Sequence, residues 1–244
     1  MWDGFNVRSA QAEDQYRRVV ASILRQFESG RYWKNVLTML PELESEYYVD
    51  TGFLLTSSVV PDMIDKPWAS FWQKTFRRNV TENNRWPRPP VGGWLTPEHW
   101  LIQIGDAVRT RIVVRYLDGV EGVVDLLQSA AKGTRWRPTS TLQATREGYY
   151  AAHVSIVGRY EVPKATFDTD SVRARVEVQV TTQVKDVIQE LLHKYYDERR
   201  RSTDPAPDAP EWDYLSDAFR TTYLGHLAHH MEGLIMDLRQ EGPK

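Results

Sequence analysis

The sequence predicts an α+β fold in which a mixed β-sheet is covered by helices. Segments with the 3.6-residue period of helices alternate with segments that have the two-residue period of strands, in the order helix, strand, helix, strand, strand, helix. That order is typical of a sheet flanked by helices rather than of an all-helical bundle. Hydrophobic residues make up 41% of the 244 positions, which is enough for a substantial core.

The N-terminal region, residues 1–59, is predicted to be helical. Apolar residues recur at helical spacing over 10–29, and a second helix is predicted over 31–48. A third helix is predicted over 65–79, with an aromatic stripe on one side. Its opposite, polar stripe consists of Lys66, Ser70, Lys74 and Arg77.

The central part of the chain contains the predicted strands. Residues 80–98 are rich in proline, glycine and asparagine and are predicted to form a loop. Strands are predicted at 111–116, 149–160 and 171–181, with helices at 119–131 and 182–199. In the last strand valines face one way, while the other face carries Arg175, Glu177 and Gln179. That polar face lines either solvent or a cleft.

The C-terminal end is predicted to be a proline-rich linker, residues 201–211, followed by a helix within 212–244. One face of this helix is apolar, and we expect it to pack on the core, form a homo-oligomer or receive a neutralising protein. The apolar face consists of Leu224, Leu227, Ala228, Met231, Leu234, Ile235 and Leu238. The histidines at 226, 229 and 230 lie off this face, and we interpret them as a solvated flank rather than a metal site.

Composition excludes several classes of protein. The absence of cysteine excludes disulfides and thiolate metal sites and favours a reducing cytoplasm. No apolar run approaches the length of a membrane span, and the N-terminus lacks the layout of a signal peptide, so we expect a cytoplasmic protein without a membrane partner. The net charge of −2 argues against non-specific coating by nucleic acid.

Three groups of residues are candidates for chemistry. The polar stripe of the third helix has the cations and hydroxyl that bind a polyphosphate, although such stripes are also common on solvated helix faces. If the strands that carry them are neighbours, Asp106 and Glu177 would be able to share a hard cation; each alone is an ordinary surface acid. Gly148 and Tyr149 at the start of a strand can present an aromatic ring to a base, with His153 following.

Taken in order, these residues resemble the synthetase domain of the RelA/SpoT family over about residues 60–200. The family motifs are Arg-x-Lys-x-x-x-Ser-x-x-x-Lys, Asp-x-x-Gly-x-Arg, Gly-Tyr-x-x-x-His and Val-Glu-x-Gln-x-x-Thr. The matching residues, motif by motif, are Lys66, Ser70 and Lys74; Asp106 and Arg111; Gly148, Tyr149 and His153; and Val176, Glu177, Gln179 and Thr182. The length of the chain favours a small stand-alone alarmone synthetase or a toxic small alarmone synthetase.

The resemblance implies a fold, an activity and a role for each residue. It implies a nucleotidyltransferase-like sheet of about five strands and transfer of the β,γ-diphosphate of ATP to a ribose 3′-hydroxyl of GDP, GTP or another purine nucleotide. Asp106 and Glu177 would hold Mg²⁺ (or Mn²⁺), and Glu177 would also act as general base. The ATP-binding residues would be Lys66, Ser70, Lys74, Arg77 and Arg111. The acceptor-binding residues would be Tyr149, His153 and Gln179.

Three departures from the family pattern leave other functions open. The arginine before Lys66 is Ile64, the glycine of the second motif is Arg109, and the arginine of the fourth is Thr181. The chain is then either a synthetase, a toxin-type member that modifies tRNA 3′ ends or adenine nucleotides, or a non-catalytic nucleotide-binding module. Cations expected to receive a tRNA acceptor stem are Arg17, Arg18, Arg77, Arg78, Lys132, Arg135 and Arg137.

Overall fold

The structure is a computed structural model, and it describes residues 9–57, 62–96, 99–145, 148–164, 168–201 and 213–241. The helices are α1 (Ser9–Glu28), α2 (Arg31–Thr51), α3 (Trp68–Phe76), α4 (Trp100–Gln103), α5 (Leu117–Ser129), α6 (Gln183–Arg201) and α7 (Asp217–Glu241). A single π-helical turn, Arg77–Thr81, continues α3. The strands are β1 (Ile64–Asp65), β2 (Val108–Val114), β3 (Arg137–Ala144), β4 (Tyr150–Pro163) and β5 (Thr169–Thr182).

The five strands form one mixed sheet in the order β1-β2-β5-β4-β3. Only β2 and β5 are parallel; the remaining pairs are antiparallel. The two longest strands, β4 and β5, pair with each other in the interior of the sheet, with Val154 opposite Val178. The predicted α+β fold and its sheet of about five strands are therefore confirmed.

The alternating sequence of the central strands creates two different faces. Valines and isoleucines of β2, β4 and β5 are fully buried on one face, where they join a hydrophobic core with apolar residues of α1, α2 and α5. The opposite face, which we call the polar face, carries Arg109 and Arg111 on β2, His153 on β4, and Glu177 and Gln179 on β5. These five side chains are only partly buried, so this face remains available to a ligand.

The start of α3 and the strands β1 and β3 differ from the sequence prediction. Lys66 lies before α3 rather than inside it, because the residue before Pro67 is disfavoured in helical conformation and Ile64 pairs with Arg109 of β2 instead. The strand β3 was not predicted, since its sequence RPTSTLQA contains a proline and no apolar alternation. Pairing with β4 along one edge of the sheet is what forms it.

The loop predicted at 80–98 is tied to the end of α3. The side chain of buried Asn79 donates to the carbonyl of Leu95 at 3.0 Å and accepts from its amide at 2.9 Å. Asn83, also buried, donates to the carbonyl of Arg88 at 2.7 Å. Residues 97–98 and the predicted linker at 201–211, apart from Arg201, lie outside the described residues.

The helix α7 packs against α6 and α5, and it turns its polar side, not its apolar side, toward the protein. Most of its apolar face is exposed: Leu227 is 58% exposed, Met231 60% and Leu238 69%, while Ala228 is buried. Glu232, on the opposite side, is only 5% exposed and its carboxylate accepts a hydrogen bond from Thr182. Of the three outcomes expected for the apolar face, packing on the core is therefore excluded for all but Ala228.

None of the described helices combines the length and the hydropathy that a membrane span needs.

Candidate active site

Asp106 lies two residues before β2, and two lysines hold its carboxylate. Lys66 Nζ donates to Oδ2 at 2.7 Å, and Lys74 Nζ donates to Oδ1 at 2.8 Å. Arg109 places Nη1 3.9 Å from Oδ2. Lys66 lies just before α3, and Lys74 lies within α3. Three cations thus surround one carboxylate, which leaves a net positive charge; we call these four residues the donor cluster.

Burial and charge act in opposite directions within the donor cluster. Burial would raise the pKa of the Asp106 carboxyl, but Lys74 and Lys66 outweigh it and hold that pKa well below its usual range. Burial lowers the pKa of Lys66, and Asp106 offsets this only in part, while Lys74 and Arg109 lower it further. Asp106 is therefore ionised at neutral pH. The cations around it are partly withdrawn from water, which is typical of a site that binds an anion.

Glu177 lies in the middle of β5, at the centre of a chain of hydrogen-bonded side chains. Its Oε1 accepts from Gln179 Nε2 at 2.7 Å and lies 3.3 Å from His153 Nδ1. His153 Nε2 in turn meets the hydroxyl of Tyr149 at 2.8 Å. The sheet register explains this arrangement, because His153 of β4 pairs with Gln179 of β5. We call these four residues the acceptor chain.

The surroundings of Glu177 lower the pKa of its carboxyl group. Burial would raise this pKa, but the hydrogen bonds from His153 and Gln179 lower it below its usual value. The charge of Asp106 acts on Glu177 in the opposite sense and raises the pKa. The donor cluster and the acceptor chain adjoin each other, because Arg109 of β2 is paired in register with Glu177 of β5.

Arg111 is placed on the acceptor side of Glu177, away from the lysines. Its Nη2 lies 3.4 Å from Gln179 Oε1, and its Nη1 donates to Asp186 Oδ1 of α6 at 2.5 Å. The resemblance assigned Arg111 to ATP. In the structure it contacts Gln179, one of the predicted acceptor residues, and Asp186; its role toward ATP stays a prediction.

The two remaining residues assigned to ATP do not join the donor cluster. Ser70 is exposed on α3, and none of its described contacts is with Asp106. Arg77, the first residue of the π-helical turn, forms an ion pair with Glu82, which follows the turn. The predicted stripe is therefore divided: Lys66 and Lys74 converge on one carboxylate, whereas Ser70, which lies between them in sequence, and Arg77 do not contact it.

The donor atoms around Asp106 and Glu177 suit a magnesium ion. Carboxylate oxygens are the ligands that Mg²⁺ prefers, and it is commonly held by one or two of them together with substrate phosphates. Among the described residues no group of three or more metal-binding side chains occurs, so any Mg²⁺ would rely on these two carboxylates, phosphates and water. The two lysines that now hold Asp106 would then be released to the phosphates.

Two residues of this region were not predicted from the sequence, and two histidines near it were interpreted wrongly. Arg109 was read only as a departure, yet it belongs to the donor cluster. Asp186 was not singled out, although its spacing from Thr182 places it on the first turn of α6. The histidines at 226 and 229 are not a solvated flank, since Tyr150 bonds His226 at 2.7 Å and stacks on His229 at 3.9 Å.

Comparison with known proteins identifies solved structures of the same fold. A GTP pyrophosphokinase family protein from Streptococcus pneumoniae is 16% identical, with a TM-score of 0.55 over 97% of this chain and 95% of that chain. The small alarmone synthetase 1 from Bacillus subtilis is 14% identical, with a TM-score of 0.56 over 96% and 97% of the two chains. The same synthetase bound to its product pppGpp is 15% identical, with a TM-score of 0.56 over 90% and 98%.

These similarities establish the fold over nearly the whole chain. No protein-family model matches the sequence, and the search of curated proteins finds no match. The neighbours in structure are nevertheless the small stand-alone synthetases that the four motifs pointed to, so the predicted resemblance is confirmed at the level of the fold.

Proposed function

We propose that this protein is a pyrophosphotransferase that moves the β,γ-diphosphate of ATP to the 3′-hydroxyl of a purine nucleotide such as GDP or GTP. One observation carries the proposal: Arg109 of the donor cluster, whose cations suit a polyphosphate, is paired in register with Glu177, from which a hydrogen-bonded chain leads to Tyr149. The shared fold with small alarmone synthetases, one of them solved with pppGpp, supports it.

In the proposed reaction the 3′-oxygen of the acceptor attacks the β-phosphorus of ATP. A bond forms between these two atoms, the bond from the β-phosphorus to the α,β-bridging oxygen breaks, and AMP leaves with that oxygen. Glu177 takes the proton of the 3′-hydroxyl, and its lowered pKa keeps it ionised and ready to do so at neutral pH. His153 and Gln179 hold the Glu177 carboxylate in place.

The donor cluster positions the phosphates of ATP. Lys66 and Lys74 transfer their hydrogen bonds from Asp106 to phosphate oxygens, and their charge offsets the charge that develops as AMP leaves. Asp106 and Glu177 would hold Mg²⁺ (Mn²⁺ is an alternative), which when bound neutralises phosphate charge. Tyr149 stacks on the acceptor base.

Transfer is tested by incubating the purified protein with Mg²⁺, β- and γ-labelled ATP and GDP, GTP or AMP in turn. We expect a 3′-pyrophosphorylated nucleotide that carries both labels and one AMP for each diphosphate transferred, as seen by mass spectrometry. Nucleotide binding without product from any acceptor, in Mg²⁺ or in Mn²⁺, would reject this proposal and favour a non-catalytic nucleotide-binding module.

A second candidate acceptor is the 3′ end of an RNA such as tRNA, and a group of arginines on the polar face favours it. Arg159 and Arg173 are directly opposite each other on β4 and β5, an arrangement of like charges that destabilises a sheet unless an anion lies between them. Arg175, two residues before Glu177, and Arg137 lie in the next row. Among the described residues none of the four forms an ion pair.

The cations first expected to bind RNA contribute unequally. Arg17 and Arg18 are paired with Glu13 and Asp14 on their own helix, so they are poor candidates. Incubation of deacylated tRNA with labelled ATP tests this second function, and labelled tRNA, but no labelled free nucleotide, is its expected signature.

Two further partners of the protein are proposed together with the function. A homo-oligomer or a neutralising antitoxin protein would have the exposed apolar face of α7 available to it. Sedimentation of the purified protein distinguishes the two: self-association at micromolar concentration supports the oligomer, and a monomer removes it.

A further inference from the structure

Two departures from the family pattern lie directly opposite each other in the sheet. Ile64 occupies the position where the resembled family has an arginine, and Arg109 occupies the position of a glycine. They are 45 positions apart in sequence, but Ile64 of β1 pairs with Arg109 of β2 in antiparallel register. The arginine missing from one strand is thus present on its neighbour.

The geometry of an antiparallel pair makes the two positions interchangeable for a long side chain. Directly opposite residues have Cβ atoms about 4.5–5.5 Å apart and project from the same face of the sheet. A guanidinium on either position therefore reaches the same space. Ile64 is 50% exposed, so the side chain opposite Arg109 leaves that space open.

Most hydrogen-bond donors of the Arg109 side chain have no partner among the described residues, although Glu177 is its in-register neighbour on β5. Its Nη1 is 3.9 Å from Asp106 Oδ2, but both oxygens of that carboxylate already accept shorter bonds from Lys66 and Lys74. The described residues offer Arg109 no other ion pair and no side-chain hydrogen bond. A guanidinium presents five donors, so most of those on Arg109 are available to phosphate oxygens.

We propose that Arg109 is a donor-binding residue whose guanidinium contacts ATP, in place of the arginine that the family pattern has at position 64. This inference rests on the proposed function, since it names a residue of the donor site. It makes the departures at Ile64 and Arg109 a single relocation rather than two losses, so the donor site retains its arginine.

The test is a relocation experiment. Arg109→Ala removes the guanidinium, and the double variant Ile64→Arg/Arg109→Gly returns it to β1. Arg18→Ala is the matched control, because it removes an exposed arginine already paired with an acid on α1. Calorimetric titration with ATP and Mg²⁺, in a Glu177→Gln background that prevents turnover, measures donor binding. Steady-state kinetics of the same changes without Glu177→Gln measure the KM for ATP and for the acceptor.

Arg109→Ala is expected to weaken ATP binding at least tenfold, as for the loss of a hydrogen bond to a charged group, with the acceptor KM unchanged. The double variant is expected to recover to within about threefold of the parent, by the same reasoning. Unchanged ATP binding by Arg109→Ala, or a folded double variant that stays as weak as Arg109→Ala, overturns the relocation. Intact ATP binding without transfer in the wild type overturns only the proposed function, and a wild type that does not bind ATP overturns both.

Discussion

The donor cluster and the acceptor chain adjoin each other where Arg109 pairs with Glu177, but they are built by different physical means. The donor cluster gathers three cations around the single carboxylate of Asp106. The acceptor chain links Tyr149, His153, Glu177 and Gln179 through hydrogen bonds. Charge clusters tolerate relocation of a side chain, because Coulomb attraction is weakly directional. A hydrogen-bonded chain requires each residue at its register position, and here all four residues of the chain match the family motifs, whereas the donor motifs depart at Ile64 and Arg109.

The largest expected effect is at the point where the two regions meet. Glu177→Gln removes the proton acceptor but keeps a side chain that can bond His153 and Gln179. We expect pyrophosphate transfer to fall by about 10²–10⁴-fold, the usual contribution of a general base. Single-turnover assays measure this, with Glu161→Gln on the exposed part of β4 as the matched control. Transfer at the wild-type rate would show that Glu177 is not the base.

The second prediction breaks the donor cluster. Asp106→Asn leaves the buried Lys66 and its neighbours without their counter-charge, and we expect the free energy of unfolding to fall by about 3 kcal/mol. Urea denaturation at pH 7 gives this value. An unchanged midpoint would mean that the lysines find other partners at no cost.

The same carboxylate gives a pH dependence with a defined sign. The pKa of Asp106 is lower in the folded protein than in the unfolded chain, so its contribution to stability is complete above the unfolded value of 3.8. That contribution is lost as the pH falls from there through the folded pKa. Asp106→Asn should therefore flatten the acid limb of the stability curve, and an acid limb as steep as that of the wild type would contradict this account.

The third prediction addresses the loop that carries Tyr149. A Cβ atom on Gly225 of α7 would lie 2.3 Å from the carbonyl oxygen of Gly148, whereas one on Gly233 of the same helix would meet nothing within 4 Å. Gly225→Ala should push the loop away and raise the KM for the acceptor about tenfold, with the KM for ATP unchanged. Gly233→Ala should change neither. Equal effects on both KM values would indicate general destabilisation instead.

The smallest expected effect separates the two roles of Tyr149. Tyr149→Phe removes the hydroxyl that bonds His153 at 2.8 Å but keeps the ring. One such bond contributes about 0.5–1.5 kcal/mol, so we expect a reduction in kcat/KM for the acceptor of about two- to tenfold. Tyr149→Leu, which removes the ring as well, should cost more. If both variants are equally impaired, the ring does not stack on the acceptor.

The acceptor chain was easier to predict than the donor cluster. The Gly-Tyr-x-x-x-His spacing puts Tyr149 and His153 together at the start of β4, and the alternation of β5 puts Glu177 and Gln179 on one face. The pairing of β4 with β5 then brings the two pairs together. The donor cluster depends on Lys66 lying outside α3 and on the pairing of β1 with β2, and both follow from long-range contacts. Helical periodicity joined Lys66 with Ser70 and Arg77, but the structure separates them.

The helix α7 shows the same limit. Its apolar residues recur at helical spacing, and periodicity alone identifies the helix and its stripe. Which side faces the protein was decided by contacts from elsewhere in the chain: the backbone approach of Gly148 to Gly225, and the hydrogen bond from Thr182 to Glu232.

The sequence by itself determined the α+β class, the positions of the long helices and strands, and the four motifs, because all of these depend on spacing along the chain. Only the tertiary structure decided which charges share a site. Lys66 and Lys74 both bond Asp106, and Arg111 bonds Asp186. Arg109 lies directly opposite the uncharged Ile64. The physical reason is range. Periodicity acts over a few residues, whereas electrostatic and hydrogen-bond partners are chosen by distance in space, which the strand register sets.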